Sequence, residues 1–69
     1  MDSIFQFIKT HRKNLKLTQA ELAERTGVGL RFIRELENGK KTLRLDKVNQ
    51  VLALFGHQLG PIVMKELEL

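Results

Sequence analysis

The stretch Leu17–Lys40, LTQAELAERTGVGLRFIRELENGK, admits few folds other than two short helices meeting at a tight glycine corner. Thr18 followed by Glu21 is a capping box, in which each side chain reaches a free backbone donor of the other's turn. It starts a helix at about Gln19. Gly27 ends that helix in the left-handed conformation that glycine adopts without a Cβ penalty. Val28 turns inward. Gly29 falls at the N-cap of the next helix, where Gly is acceptable but weaker than Ser or Thr. That helix runs from about Leu30 to Asn38 and stops at Gly39, and Lys40 to Arg44 form a loop.

The inward positions of the segment are constrained as a set. Leu22 and Ala23 share one face of the first of these helices, and Ile33 and Leu36 share the inner face of the second. Two helices that cross steeply and closely need one small contact residue, and Ala23 supplies it. Arg31 and Arg34 are spaced i, i+3 on the opposite face, with Lys40 and Lys41 close behind. A helix pair of this geometry, cationic on the outer face of its second member, fits a DNA major groove.

The flanks read as two more helices. Ser3 followed by Gln6 is another capping box, which starts a helix spanning about Ile4 to Asn14. Ile4, Ile8, His11 and Leu15 fall on one face of it. Phe5 and Phe7 flank that face, and one of the two is open to exposure or to a subunit contact. After the loop, Leu45, Val48, Leu52 and Phe55 repeat at helical spacing, with Asp46 favourably near the helix start and Gly56 at its end. Val51 and Leu54 add apolar surface beside that stripe. Gly60-Pro61 breaks any helix, and Ile62-Val63-Met64 is a short β-prone run without a second strand to pair with.

Composition narrows the function classes. Sixty-nine residues make one small domain, which buries only about 60% of its unfolded surface and is marginal alone. The chain has no cysteine, so neither disulfides nor thiolate metal sites are available. His11 and His57 lack metal-ligand spacing. No metal or other cofactor is expected, and His11 reads as a satisfied core histidine. There is no apolar run of about 18 residues, so no membrane contact is expected. The N-terminus lacks the pattern of a secretion signal, and the expected location is the cytoplasm, in association with the nucleoid. Residues 1–44 hold ten Lys/Arg against five Asp/Glu, whereas residues 45–69 hold two against three. The positive charge travels with the two-helix segment, which suits a polyanion-binding face and equally a solvated basic surface.

With these residues in view, the chain resembles the helix-turn-helix domain of lambdoid phage repressors and Cro-like (Cro/C1-type, XRE family) bacterial regulators. The resemblance rests on LTQAELAERTG, the Ile33/Leu36 pair and LENGK, and covers roughly residues 4–56. It implies an all-α, four-helix, lambda-repressor-like domain over residues 1–56, with the helix-turn-helix at about 18–38. In that family the second helix crosses the phosphate backbone and the third lies in the major groove. By resemblance, Gln19 contacts a phosphate, as do Asn38 and Lys40 at the far end of the site. Gly29, Leu30 and Arg31 fall on base-reading positions, with Arg34 one turn on. Thr18, Lys41 and Arg44 are further candidates for phosphate contact. Arg12 and Glu37 match a partly buried structural ion pair between the first and third helices.

Side-chain chemistry agrees with these roles. An arginine fork can bond O6 and N7 of a guanine, with about 1–3 kcal/mol of discrimination. Both arginines could also serve only to neutralise phosphate. Leu30 has two readings, a thymine-methyl contact or an idle exposed leucine. Phe32, where the family commonly has Thr or Ser, either touches sugar and methyl groups or packs on the Leu15–Leu17 region, and packing is favoured.

Residues 57–69 form a tail that is expected to dimerise the chain. An unpaired apolar strand invites a partner edge. Two copies would pair Ile62, Val63 and Met64 across a two-fold axis, with Val51 and Leu54 adding apolar contacts. Such a homodimer reads two half-sites about 34 Å apart. The expected function is therefore that of a sequence-specific repressor of double-stranded DNA, on a palindromic operator and open to autoregulation. The short helical domain with a strand tail also resembles HipB-type antitoxins. The alternative is thus an antitoxin of a type II toxin–antitoxin module, whose main task is to neutralise a kinase-like toxin protein. No catalytic residues are expected. Gly27-Val28-Gly29 begins like a dinucleotide loop, but Phe32 stands where the third glycine belongs, and no strand precedes it.

Overall fold

A computed structural model describes residues 3–62. Four helices make up its regular structure: α1 (Ile4–Asn14), α2 (Gln19–Thr26), α3 (Leu30–Glu37) and α4 (Leu45–Leu54). Helix α3 packs on α1 and α2, and α2 packs on α4. No helix among the described residues is long and apolar enough to cross a membrane.

Each boundary has a local cause. At α2 the capping box closes on both sides: Thr18 Oγ1 accepts from the Glu21 N–H at 3.1 Å, and the Thr18 N–H donates to Glu21 Oε1 at 2.9 Å. The Thr18 N–H, ahead of the Thr18 side chain, holds the Glu21 carboxyl below the usual carboxylate range. The Ser3 box is only half made. Ser3 accepts from the Gln6 N–H at 3.2 Å, while the Gln6 amide turns forward to the Thr10 hydroxyl at 3.4 Å. Residues four apart lie on one helix face, which brings the Thr10 hydroxyl within its reach.

The helix ends reverse the chain sharply. Gly27 takes φ +80°, and Gln50 Nε2 from α4 stands 3.0 Å from where a Cβ would sit. A side chain here would be strained both by the backbone and by a neighbour. That same Gln50 Nε2 donates to Thr26 O at 2.6 Å, tying α4 to the end of α2. The end of α1 departs from the glycine rule: Lys16 occupies the left-handed region at φ 57°. It is held there by bonds from the Lys16 N–H to Lys13 O and from the Leu17 N–H to Arg12 O. This double bond pattern over a left-handed residue satisfies carbonyls that the last turn leaves open.

The core comprises Ile8, Leu17, Leu22, Ala23, Val28, Ile33, Leu36, Val48, Val51 and Leu52. Three expectations are corrected here. Leu15 is 53% exposed, because α1 ends before it and the chain turns to bury Leu17 instead. In α4 the inward stripe is Val48, Val51 and Leu52, and Leu45 is 70% exposed. Val51 therefore does not belong to a subunit surface: it is fully buried by its own chain. Leu54 is exposed. After α4 the backbone folds back, and the Leu59 N–H donates to Asn49 Oδ1 at 2.7 Å while Leu59 packs against the core. Ile62 is exposed and is not in a strand. Val63 and Met64, and with them most of the expected strand, lie outside the described residues.

His11 sits in an aromatic cluster at one edge of the core. It stacks on Phe7 with ring centroids 3.9 Å apart, and its Nδ1 lies 2.9 Å from Phe7 O. Phe55 and His57 close the cluster. On the other side, Phe5 is half-buried against Gly39, whose own left-handed turn (φ +80°) presents no side chain to the ring.

One charged contact crosses this interior. Arg12 Nε donates to Glu37 Oε2 at 2.7 Å and Arg12 Nη2 to Glu37 Oε1 at 3.0 Å, while Nη1 donates to Leu17 O at 2.8 Å. The Glu37 side chain is 2% exposed. A carboxylate so enclosed cannot recover its hydration if its cation is removed. Arg12→Ala should therefore lower the unfolding free energy by about 3–5 kcal/mol in urea denaturation, while Arg12→Met combined with Glu37→Leu regains most of that loss.

Candidate nucleic-acid interface

The outer face of α3 follows from its inner one. Ile33 and Leu36 are fully buried, so the helix turns Arg31, Arg34 and its C-cap Asn38 to the surface. The Arg31 side chain is 92% exposed. Arg34 is exposed and forms no ion pair among the described residues. The front of the helix is open. Gly29 caps it in an extended conformation without a side-chain hydrogen bond, and nothing lies within 4 Å of where its Cβ would be. The first N–H groups of α3 keep their partial positive charge unmasked by any capping side chain.

Helix α2 meets α3 through polar as well as apolar contacts. Gln19 is half-buried, and its Nε2 donates to Glu37 Oε1 at 3.2 Å. The first residue of α2 is thereby tied to the pair that joins α1 to α3. Thr18 beside it is exposed, but its hydroxyl is engaged as the helix cap.

The loop after α3 carries Lys40, Lys41 and Arg44, all exposed. Lys40 is brought back toward α3 by the turn at Gly39, with its N–H donating to Glu35 O at 3.1 Å. Arg44 is engaged in a fork with Asp46, at 2.6 and 3.1 Å, which holds the Asp46 carboxyl below its usual range. Arg44 thus carries a counter-charge that Lys41 lacks among the described residues.

Leu30 departs from its sequence-based readings, and Phe32 packs as favoured. Leu30 is neither idle nor fully outward: it is half-buried and packed against the core. Phe32 is half-buried against the core, and Lys47 Nζ of α4 stands 5.9 Å from its ring centroid.

Glu35 is the residue that the sequence reading missed. Its Oε1 accepts from Arg31 Nε at 3.1 Å and its Oε2 accepts from Lys40 Nζ at 3.0 Å. The Lys40 bond, ahead of the Arg31 bond, holds the Glu35 carboxyl below the usual carboxylate range. The i, i+4 spacing to Arg31 was available as a signal. The link to Lys40 depends on the turn at Gly39.

The profile of the helix-turn-helix domain family matches residues 5–68. The chain belongs to the helix-turn-helix family, in its Cro/C1-like (XRE) branch. It is 51% identical over 49 residues to an uncharacterized HTH-type transcriptional regulator, y4mF, of Sinorhizobium fredii; the match covers 71% of this chain and 64% of that protein. It is 41% identical over 51 residues, 74% of each chain, to an uncharacterized HTH-type transcriptional regulator of Methanothermobacter thermautotrophicus. The chain thus spans just under two thirds of the length of the first of these relatives. No solved structure matches the chain significantly. In helix-turn-helix proteins the second helix of the pair lies in the major groove, and α3 is the second helix of the pair here.

Proposed function

We propose that this chain is the DNA-reading unit of a transcriptional repressor that acts as a homodimer on a two-fold-symmetric operator. The observation that carries the reading is the outer face of α3, where Arg31 and Arg34 stand free of the core behind an open helix start. The relatives' names as transcriptional regulators support it. Arg31 and Arg34 read base edges, aided by the backbone at Gly29 and the partly outward Leu30. Thr18 and Gln19 at the start of α2, with Asn38, Lys40, Lys41 and Arg44 beyond α3, contact phosphates on either side.

The division between reading and gripping is testable because the two contributions respond differently to sequence and salt. A base contact discriminates, whereas a phosphate contact adds sequence-independent affinity and releases counterions. Selection of sites from random duplex DNA supplies the operator. Arg31→Ala should then weaken binding to that operator by about 1–3 kcal/mol and relax the preference at one base pair. A uniform loss over all sequences would make Arg31 a phosphate contact. Lys40→Ala should weaken binding to every duplex alike and reduce the slope of log K against log salt by about one unit. An unchanged slope would remove Lys40 from the interface.

A two-fold operator needs two chains. Leu54 and Ile62, both exposed, meet a second copy in this reading; Val63 and Met64, assigned to the same contact from the sequence, lie outside the described residues. Because Leu59 belongs to the core, a truncation that probes the tail has to fall after Gly60. Such a truncation should convert a dimer to a folded monomer in sedimentation. A truncated chain that still sediments as a dimer would place the interface elsewhere.

A further inference from the structure

Glu35 is an acid on a surface whose other prominent side chains are cations. A carboxylate near phosphates repels them, so its presence between Arg31 and Lys40 needs a physical reason. The geometry gives one. Glu35 is 27% exposed where Arg31 is 92% exposed and Lys40 46% exposed, so the acid lies behind the two cations. Each carboxylate oxygen is already taken, Oε1 by Arg31 and Oε2 by Lys40. About half of its acceptor capacity is thereby committed, and the rest lies behind the two cations.

The way Arg31 is held matters most. Among the described residues its side chain bonds only through Nε. The two terminal amino groups remain free, and these are the groups that form a bidentate bond to a guanine edge. A guanidinium held by Nε is thus fixed in direction without loss of its reading end. Lys40 lies at the far side of the same carboxylate, so the base-reading cation and the phosphate-gripping cation share one anchor.

We propose that Glu35 is a positioning residue for DNA selectivity: its carboxylate orients the Arg31 fork for base reading and, by sharing the charge of Arg31 and Lys40, restrains their attraction to phosphates of any sequence. This rests on the reading of Arg31 as a base contact. The lowered protonation range of Glu35 keeps the carboxylate charged at neutral pH. Phosphate attraction is sequence-independent, so the net charge that the pair presents sets binding to all DNA alike. Orientation of the fork strengthens only the contact at the correct base. The same acid therefore acts against general affinity and in favour of discrimination.

The test uses the whole chain and two duplexes, the operator recovered from random DNA and a scrambled duplex of equal length. Glu35→Gln should leave the urea midpoint nearly unchanged, strengthen binding to the scrambled duplex, and reduce the operator-to-scrambled affinity ratio about three- to tenfold, the scale of freeing one ordered side chain. The preferred sequence should stay the same. In an Arg31→Ala background, Glu35→Gln should no longer change the ratio. A ratio that Glu35→Gln leaves unaltered in the parent chain overturns the proposal. So does a switch of the preferred base at one position, which would make Glu35 itself a reader. A parent chain that recovers no preferred sequence from random DNA overturns the reading of Arg31 together with the proposal. Recovery of a sequence preference that only Arg31→Ala disturbs overturns the proposal alone.

Discussion

The buried pair between Arg12 and Glu37 is the contact on which the arrangement of this domain depends. It joins α1 to α3 by a two-bond fork, and its remaining valences are used rather than left vacant. Leu17 O takes the third guanidinium bond, and Gln19 bonds the carboxylate from the start of α2. Three helices meet at one pair of charges. A bidentate guanidinium–carboxylate contact is directional as well as strong. Apolar packing of Ile33 and Leu36 buries one side of α3, but such packing tolerates small rotations. The fork limits those rotations, and with them the direction in which Arg31 and Arg34 leave the surface. Fidelity of a base contact depends on that direction.

Around this fixed frame, charge is distributed by depth. Glu37 is enclosed and structural, Glu35 lies at an intermediate depth behind two cations, and Arg31 and Arg34 stand outermost. Along α3 two arginines, Arg31 and Arg34, precede two glutamates, Glu35 and Glu37, and their linear order alone conceals this layering. It arises because about half a turn of helix separates the residues that face the core from those that face outward. Similar reasoning applies to the loop after α3: Lys40 returns to the helix through the Gly39 turn, whereas Arg44 is drawn toward Asp46 at the start of α4.

Much of the helix layout was legible because its signals are local. The capping pair Thr18/Glu21, the left-handed glycines at 27 and 39 and the run from Leu30 to Glu37 all act within a few residues of themselves. The signals that failed were those that need a neighbour to decide them. The periodicity of α4 points to a stripe of Leu45, Val48, Leu52 and Phe55 with Val51 beside it, yet Val51 is buried and Leu45 exposed. The packing of α4 on the rest of the domain decided the difference. Lys16 in the left-handed region has no sequence mark, since glycine is the usual signal and the bonds to Lys13 and Arg12 replace it. The candidate site was legible in its cations and not in its acid, because Glu35 gains its meaning from Lys40 across a turn.

Local chemistry in the chain therefore decided where helices begin and end, which glycines break them and where positive charge gathers. Those features depend on backbone bonding and on spacing along one helix. The fold decided which of two possible faces of α4 is inward, that Leu59 returns to the core, and that one carboxylate binds two cations. These outcomes depend on distances between segments far apart in the chain, and such distances exist only once the helices have packed.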